Sequence, residues 1–204
     1  AERYFTYISD AAHGDFGDSL KQRGRTVMDI IATKFPVSAR LGGMAVVLAL
    51  CVGVPLGVLA AYKRGTFIDS LFSVIATCGI AVPGFVICTL LLYVFGVKLQ
   101  WLPTLGLKSA QSYIMPVVAL AAYPTSYIMR LMRSSMLDVL GQDYMRTAKA
   151  KGLSQKVSLF KHALRNAILP VITYVGPMLA YTLTGSFVTE KIFTIPGLGG
   201  EFIK

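Results

Sequence analysis

Four stretches without a single charged residue, 41–62, 70–97, 109–129 and 166–189, govern what this chain can fold into. Each supplies the roughly 20 predominantly apolar residues that an α-helix needs to cross a bilayer. Inside a membrane every backbone N–H and C=O must be satisfied within the segment, so each run predicts a transmembrane helix and the whole predicts an all-α, polytopic membrane protein. The composition agrees. The 204 residues are 54% hydrophobic and 15% charged, with a mean hydropathy of +0.61, far more apolar than a soluble domain. Run 70–97 is longer than one crossing requires and predicts a tilt or a break at Pro83-Gly84. Every run holds proline: Pro55, Pro83, Pro116 with Pro124, and Pro170 with Pro177. Such residues are tolerated in membrane helices because neighbouring groups re-satisfy the freed carbonyls, and Gly53 and Gly57 let helices approach closely.

The chain carries 20 Lys and Arg against 10 Asp and Glu. Such an excess could mean nucleic acid, but the basic residues lie in the loops between apolar runs, where they set membrane orientation. Lys63 and Arg64, with eight Lys and Arg in 130–165, mark the cytoplasmic side, whereas the 98–108 loop carries two. This orientation puts residues 1–36 outside, sends the runs in, out, in and out, and leaves 190–204 outside. It also predicts one further span before Ala1 and one after Lys204, the chain being read as an internal piece of a longer polypeptide. Residues 1–36 read as an extracytoplasmic loop, with turns at Gly14-Asp15-Phe16-Gly17-Asp18-Ser19. A capping box, Thr26-x-x-Asp29, opens a short amphipathic surface helix carrying Val27, Ile30, Ile31 and Phe35. The second unit, 37–204, reads as the transmembrane domain, with 130–165 as its large cytoplasmic loop.

That loop is more patterned than lipid-facing charge requires. Tyr144 to Lys151 is compatible with a helix that ends at Gly152, a residue suited to a left-handed terminus. Ser154 can cap a second helix with Val157, Phe160 and Leu164 on one face and Lys156, Lys161 and Arg165 turned to water or a partner. Ala148, Ala150 and Gly152 keep the surface small enough for another backbone to approach. The expected product is a docking knob made of two short helices.

Ala148-x-x-x-Gly152 resembles the EAA signature of the membrane subunits of bacterial ABC importers, E-A-A-x-x-x-G followed by nine residues and I-x-L-P. Arg146 and Thr147 stand in place of the Glu and the first Ala, and the later positions read His162, Leu164 and Arg165. R-T-A-K-A-K-G-L-S, then K-H-A-L-R-N-A-I-L-P from Lys161 to Pro170, is similar to the version in one permease subunit of the oligopeptide, dipeptide and nickel importers, the B-type subunit of oligopeptide permeases. The resemblance extends to Gly14-Asp15-Phe16-Gly17-Asp18-Ser19, Pro55-Leu56-Gly57-Val58 and Phe193-x-x-Pro196-Gly197-Leu198-Gly199, and so to essentially the whole chain. It implies a type I ABC importer permease fold of six helices, four of them here, in a bacterial cytoplasmic membrane. It also implies a coupling loop that enters a groove on an ATPase subunit through Ala148, Lys149, Ala150, Lys151, Gly152, Leu153, Ser154, Val157, Phe160 and His162. The implied partners are two ABC ATPase subunits, a second homologous permease and an extracytoplasmic peptide-binding protein. Oligopeptide, dipeptide and nickel remain open as cargo.

No G-x-x-x-x-G-K-[ST] loop is present, so ATP hydrolysis is expected in partner subunits and not here. No catalytic residue, cofactor or metal site is expected. His13 and His162 fall on opposite predicted sides of the membrane, and Cys51, Cys78 and Cys88 lie inside apolar runs as small buried hydrophobes. All four runs lack an ionisable residue that would mark a proton pathway, which weighs against the alternative of a secondary transporter or channel not driven by ATP. A purely structural scaffold is the other alternative. Asp69, at a run boundary, is expected at headgroup level.

Overall fold

The computed structural model describes residues 2–19, 22–154, 157–184 and 187–201, the side chains of Glu2, Arg3 and Lys149 excepted. Among them helices dominate and the single β-type pairing is an isolated bridge between Asp18 and Thr26. The helices are α1 (Glu2–Ala12), α2 (Val27–Tyr62), α3 (Phe67–Ala81), α4 (Gly84–Leu91) and α5 (Ile114–Leu140). They are followed by α6 (Asp143–Ala150), α7 (Leu164–Ala167), α8 (Leu169–Leu183) and α9 (Phe187–Ile192). π-helical turns continue α4 over Leu92–Lys98 and precede α7 over Ser158–Ala163. Val27–Tyr62, Ala110–Leu140 and Leu169–Ile192 are each long and apolar enough to cross a membrane, and Phe67–Ala81 with Gly84–Lys98 forms a fourth, broken candidate. The break is a 102° bend at the expected Pro83-Gly84 step, where Val82 and Pro83 leave the helical conformation.

Two helices differ from the expected limits. Thr26 and Asp29 form the capping box, with the Asp29 N–H donating to Thr26 Oγ1 at 3.1 Å and the Thr26 N–H to Asp29 Oδ2 at 3.3 Å. The helix they start does not stay at the surface. It runs on through Pro36 and Arg40 to Tyr62, so the boundary expected at residue 36 falls inside α2, and α1 adds a helix where a loop was expected. At the other end α5 continues past Arg130 and Arg133 to Leu140, so the connection expected from residue 130 begins about three turns later. Charge marks where a helix leaves the apolar layer and not where it ends.

α5 is the central mast. α2 lies along it through Gly53 and Gly57, one turn apart: a Cβ on Gly57 would stand 2.6 Å from the Met129 carbonyl oxygen and 2.7 Å from Met132 Cβ, and one on Gly53 2.9 Å from the Thr125 carbonyl oxygen. Small residues at this seam allow backbones to touch, which is how membrane helices gain packing energy without a hydrophobic driving force. The core has two parts. One, towards the outside in the expected orientation, gathers Leu41, Ala45, Cys88, Met115, Leu120, Phe193 and Ile195. The other, towards the cytoplasm, gathers Val58, Ala61, Ile128, Met132, Met136, Met145, Leu159 and Ala163. Cys51 and Cys78 are exposed on the surface of the chain, contrary to the expectation that all three cysteines are buried, because they face out from the bundle; Cys88 alone is buried.

Candidate functional site

The connection between α5 and α8 folds back on itself around Gly152. α6 ends with the Lys151 N–H on the Thr147 carbonyl at 3.0 Å and the Leu153 N–H on the Ala148 carbonyl at 3.3 Å. Between these bonds Gly152 takes φ +75, the left-handed conformation that costs glycine nothing. Ser154 then opens the next helical segment: its Oγ accepts from the Val157 N–H at 3.4 Å and its carbonyl from the Ser158 N–H at 3.0 Å. Asn166 Nδ2 donates to Tyr144 Oη at 2.9 Å and ties α6 to α7 at the base of the knob.

The residues named from sequence divide between two sides of this knob. Ala150, Lys151, Gly152, Leu153, Ser154, Val157 and Phe160 are exposed and His162 is half-buried, whereas Ala148 is buried and faces the bundle. Lys156 and the Lys149 side chain lie outside the described residues. The apolar face of the second segment is also displaced. Leu159, Ala163 and Ala167 turn inward, while Phe160 stands 60% and Val157 40% exposed, because the π-helical turn over Ser158–Ala163 shifts the register that a regular helix would give. The tip therefore presents Leu153, Val157 and Phe160 among small residues and lysines, and the base is seated by Met145, Leu159 and Ala163 on Met132 and Met136 of α5. The knob thus rests directly on the central helix.

Two polar clusters escaped sequence reasoning. Asp69, at the first turn of α3, is 5% exposed and takes both Nε and Nη2 of Arg133 on α5, the latter at 2.8 Å to Oδ2, and the Gly65 N–H at 3.0 Å. It locks the start of α3 to α5. On the other side Glu190 is 1% exposed. Its carboxyl receives the Ser38 hydroxyl at 2.6 Å and the Gly200 N–H at 2.9 Å, and Ser38 Oγ in turn accepts the Leu198 N–H at 2.8 Å. The Phe193 carbonyl accepts from the Gly106 N–H at 2.8 Å, and Lys34 pairs with Glu201 at 2.9 Å. Three segments are thus clasped at one end of the bundle. The signal available was the lone acid Glu190 beside an apolar run; its partner Ser38 is 152 residues away. Glu190→Ala leaves the Ser38 hydroxyl and the Gly200 N–H without their acceptor and is expected to cost about 2–4 kcal/mol. Limited proteolysis should then cut 193–201 much faster than in the parent, and an unchanged cutting rate would contradict the clasp. Among the described residues no group of three or more His, Cys, Asp or Glu could hold a metal ion.

Residues 53–204 match the family described as binding-protein-dependent transport system inner membrane component. The chain belongs to that family. It is 46% identical over 202 residues to the dipeptide transport system permease protein DppB of Bacillus subtilis, covering 99% of this chain and 66% of the relative. It is 44% identical over 204 residues to the oligopeptide transport system permease protein OppB of Salmonella typhimurium, covering 99% and 67%. The chain thus spans about two thirds of the length of these relatives. A crystal structure of an amino acid ABC transporter superposes with a TM-score of 0.61 at 16% identity, over 96% of this chain and 79% of that one. The fold is accordingly that of an ABC transporter permease, all-α among the described residues, and this inner membrane component is a multi-pass membrane protein of the transport-permease kind, to which the apolar helices also point.

Proposed function

We propose that this inner membrane component is the membrane-spanning subunit of an ATP-binding cassette importer and forms half of a translocation pore for oligopeptides or dipeptides. It couples to ATPase subunits through the knob around Gly152. The observation that carries this reading is the knob itself: a glycine-pivoted tip exposing Leu153, Val157 and Phe160, seated on the methionines of the central helix. The names of its relatives supply the peptide cargo. The partners are ABC ATPase subunits at the tip, a second homologous permease beside the spans, an extracytoplasmic peptide-binding protein, and the surrounding bilayer of a bacterial cytoplasmic membrane. Residues 1–36 and 190–204 then lie outside, and the clasp of Glu190 stiffens the face that the binding protein meets. Hydrolysis belongs to the ATPases; closure of the pair moves the knob and shifts the bundle between inward-open and outward-open arrangements, a two-state change biased by different contacts in each state.

The test is reconstitution. The full-length protein, its permease partner and the ATPase subunits in proteoliposomes should take up peptide only with ATP and binding protein present. Uptake that proceeds equally without ATP would replace this reading with a secondary carrier or channel.

A further inference from the structure

α5 carries a polar stripe on its exposed face. Tyr123, Tyr127 and Arg130 fall at i, i+4 and i+7, one face of the helix, and all three are exposed. Tyr123 stacks on Tyr127 with centroids 6.4 Å apart, and Tyr127 meets Tyr174 of α8 at 4.4 Å. Two cavities follow one another along this helix. The first, about 550 Å³, lies at the bend between α3 and α4 and is lined by Tyr123, Tyr174, Tyr181 and Thr182 with no charged residue. The second, about 260 Å³, lies between α3 and α5 and is lined by Ser73, Thr77, Arg130 and Arg133. Arg133 is taken up by Asp69, whereas Arg130 makes no ion pair with any described residue. A charge where a membrane helix leaves the apolar layer faces water, a partner or a passing ligand, and here it lies two turns along the helix from Tyr123, whose cavity is rimmed by Tyr174 and Tyr181.

We propose that the Tyr123, Tyr127 and Arg130 stripe is the wall along which the peptide moves, and that Arg130 receives its free C-terminal carboxylate as it reaches the cytoplasmic end. This rests on the peptide-importer reading above. The uncharged upper cavity offers stacking surface and hydroxyls to any backbone and discriminates little between side chains. Arg130 is the charge complement to the C-terminal carboxylate, the anionic group that every unblocked peptide carries, and a guanidinium binds it bidentately. Arg130 is therefore a positioning residue for the transported chain and does no chemistry.

The experiment measures ATP-driven uptake of trialanine as free acid and as C-terminal amide by the full complex at saturating peptide, with the same binding protein throughout. Arg130→Gln should lower the acid-to-amide rate ratio about tenfold relative to the parent, as loss of one charge-assisted contact would. Arg130→Lys should restore part of it, and Arg64→Gln, which removes a charge from the same side of the membrane, should leave it unchanged. Assembly of each variant is checked by gel filtration, and the lysine variant serves if the glutamine one fails to assemble. An unaltered ratio in assembled Arg130→Gln overturns the proposal. So does a deficit equal for acid and amide that appears only in vesicles containing phosphatidylglycerol, which would make Arg130 a lipid-phosphate contact. No ATP-driven uptake in the parent complex would instead remove the importer reading, and this proposal with it.

Discussion

Gly57→Leu should prevent the bundle from assembling. The Cβ alone would stand 2.6 Å from a backbone oxygen of α5 and 2.7 Å from Met132 Cβ, and a backbone helix cannot move aside as the end of a side chain can. Overpacking of a core typically costs about 1–3 kcal/mol, and forcing two membrane helices apart along their longest contact should exceed that. Gly57→Ala meets the same obstacle and should already lower the unfolding temperature in detergent. Gly43 supplies the control: among the described residues a Cβ there meets nothing within 4 Å, so Gly43→Ala should not destabilise, and its better helix propensity should add about 0.5–1 kcal/mol. A Gly57→Leu protein that elutes as a monodisperse species and melts with the parent would show that the α2–α5 seam is not as close as described.

Gly152→Leu should have the opposite signature, an intact membrane protein that no longer transports. Among the described residues, no atom beyond the glycine and its two chain neighbours lies within 4 Å of a Cβ at this position, so the spans are not disturbed. An L-residue at φ +75 costs about 1–2 kcal/mol, and a bulky side chain projects from the tip where a partner backbone would sit. ATP-driven peptide uptake should fall to background, and the ATPase subunits should no longer co-purify. Gly152→Asn separates the two causes. Asparagine tolerates the left-handed conformation, so this variant should keep the fold of the knob and lose only part of the coupling, through crowding alone. Normal co-purification and transport by Gly152→Leu would refute the docking assignment.

Much of the architecture was legible because a bilayer leaves few options. Absence of charge located the crossings, Pro83-Gly84 marked the bend, Thr26 and Asp29 marked a helix start, and Gly152 marked a left-handed terminus. These are local signals. What could not be read was set by distant contacts or by continuity. α2 and α5 carry Arg40 and Arg133 as ordinary helical residues, one on each side of the apolar layer, so charge stopped the sequence reading before the helix stopped. The register of Leu159 against Phe160 depends on a π-helical turn, which a regular period misplaces. Ser38 and Glu190 have no common pattern at all; only the fold brings a serine inside one helix to an acid at the beginning of another.

Beneath the knob the contact is made largely of thioethers: Met132, Met136 and Met145, with Met129 a turn away at the α2 seam. Methionine is unbranched and polarizable, and fills an irregular gap equally well in several rotamers. A joint built of leucine and valine would hold one seating and open voids in any other. In the importer proposed above this joint would work as a lubricated bearing, reseated at each cycle by side chains turning over, with neither backbone nor packing density given up.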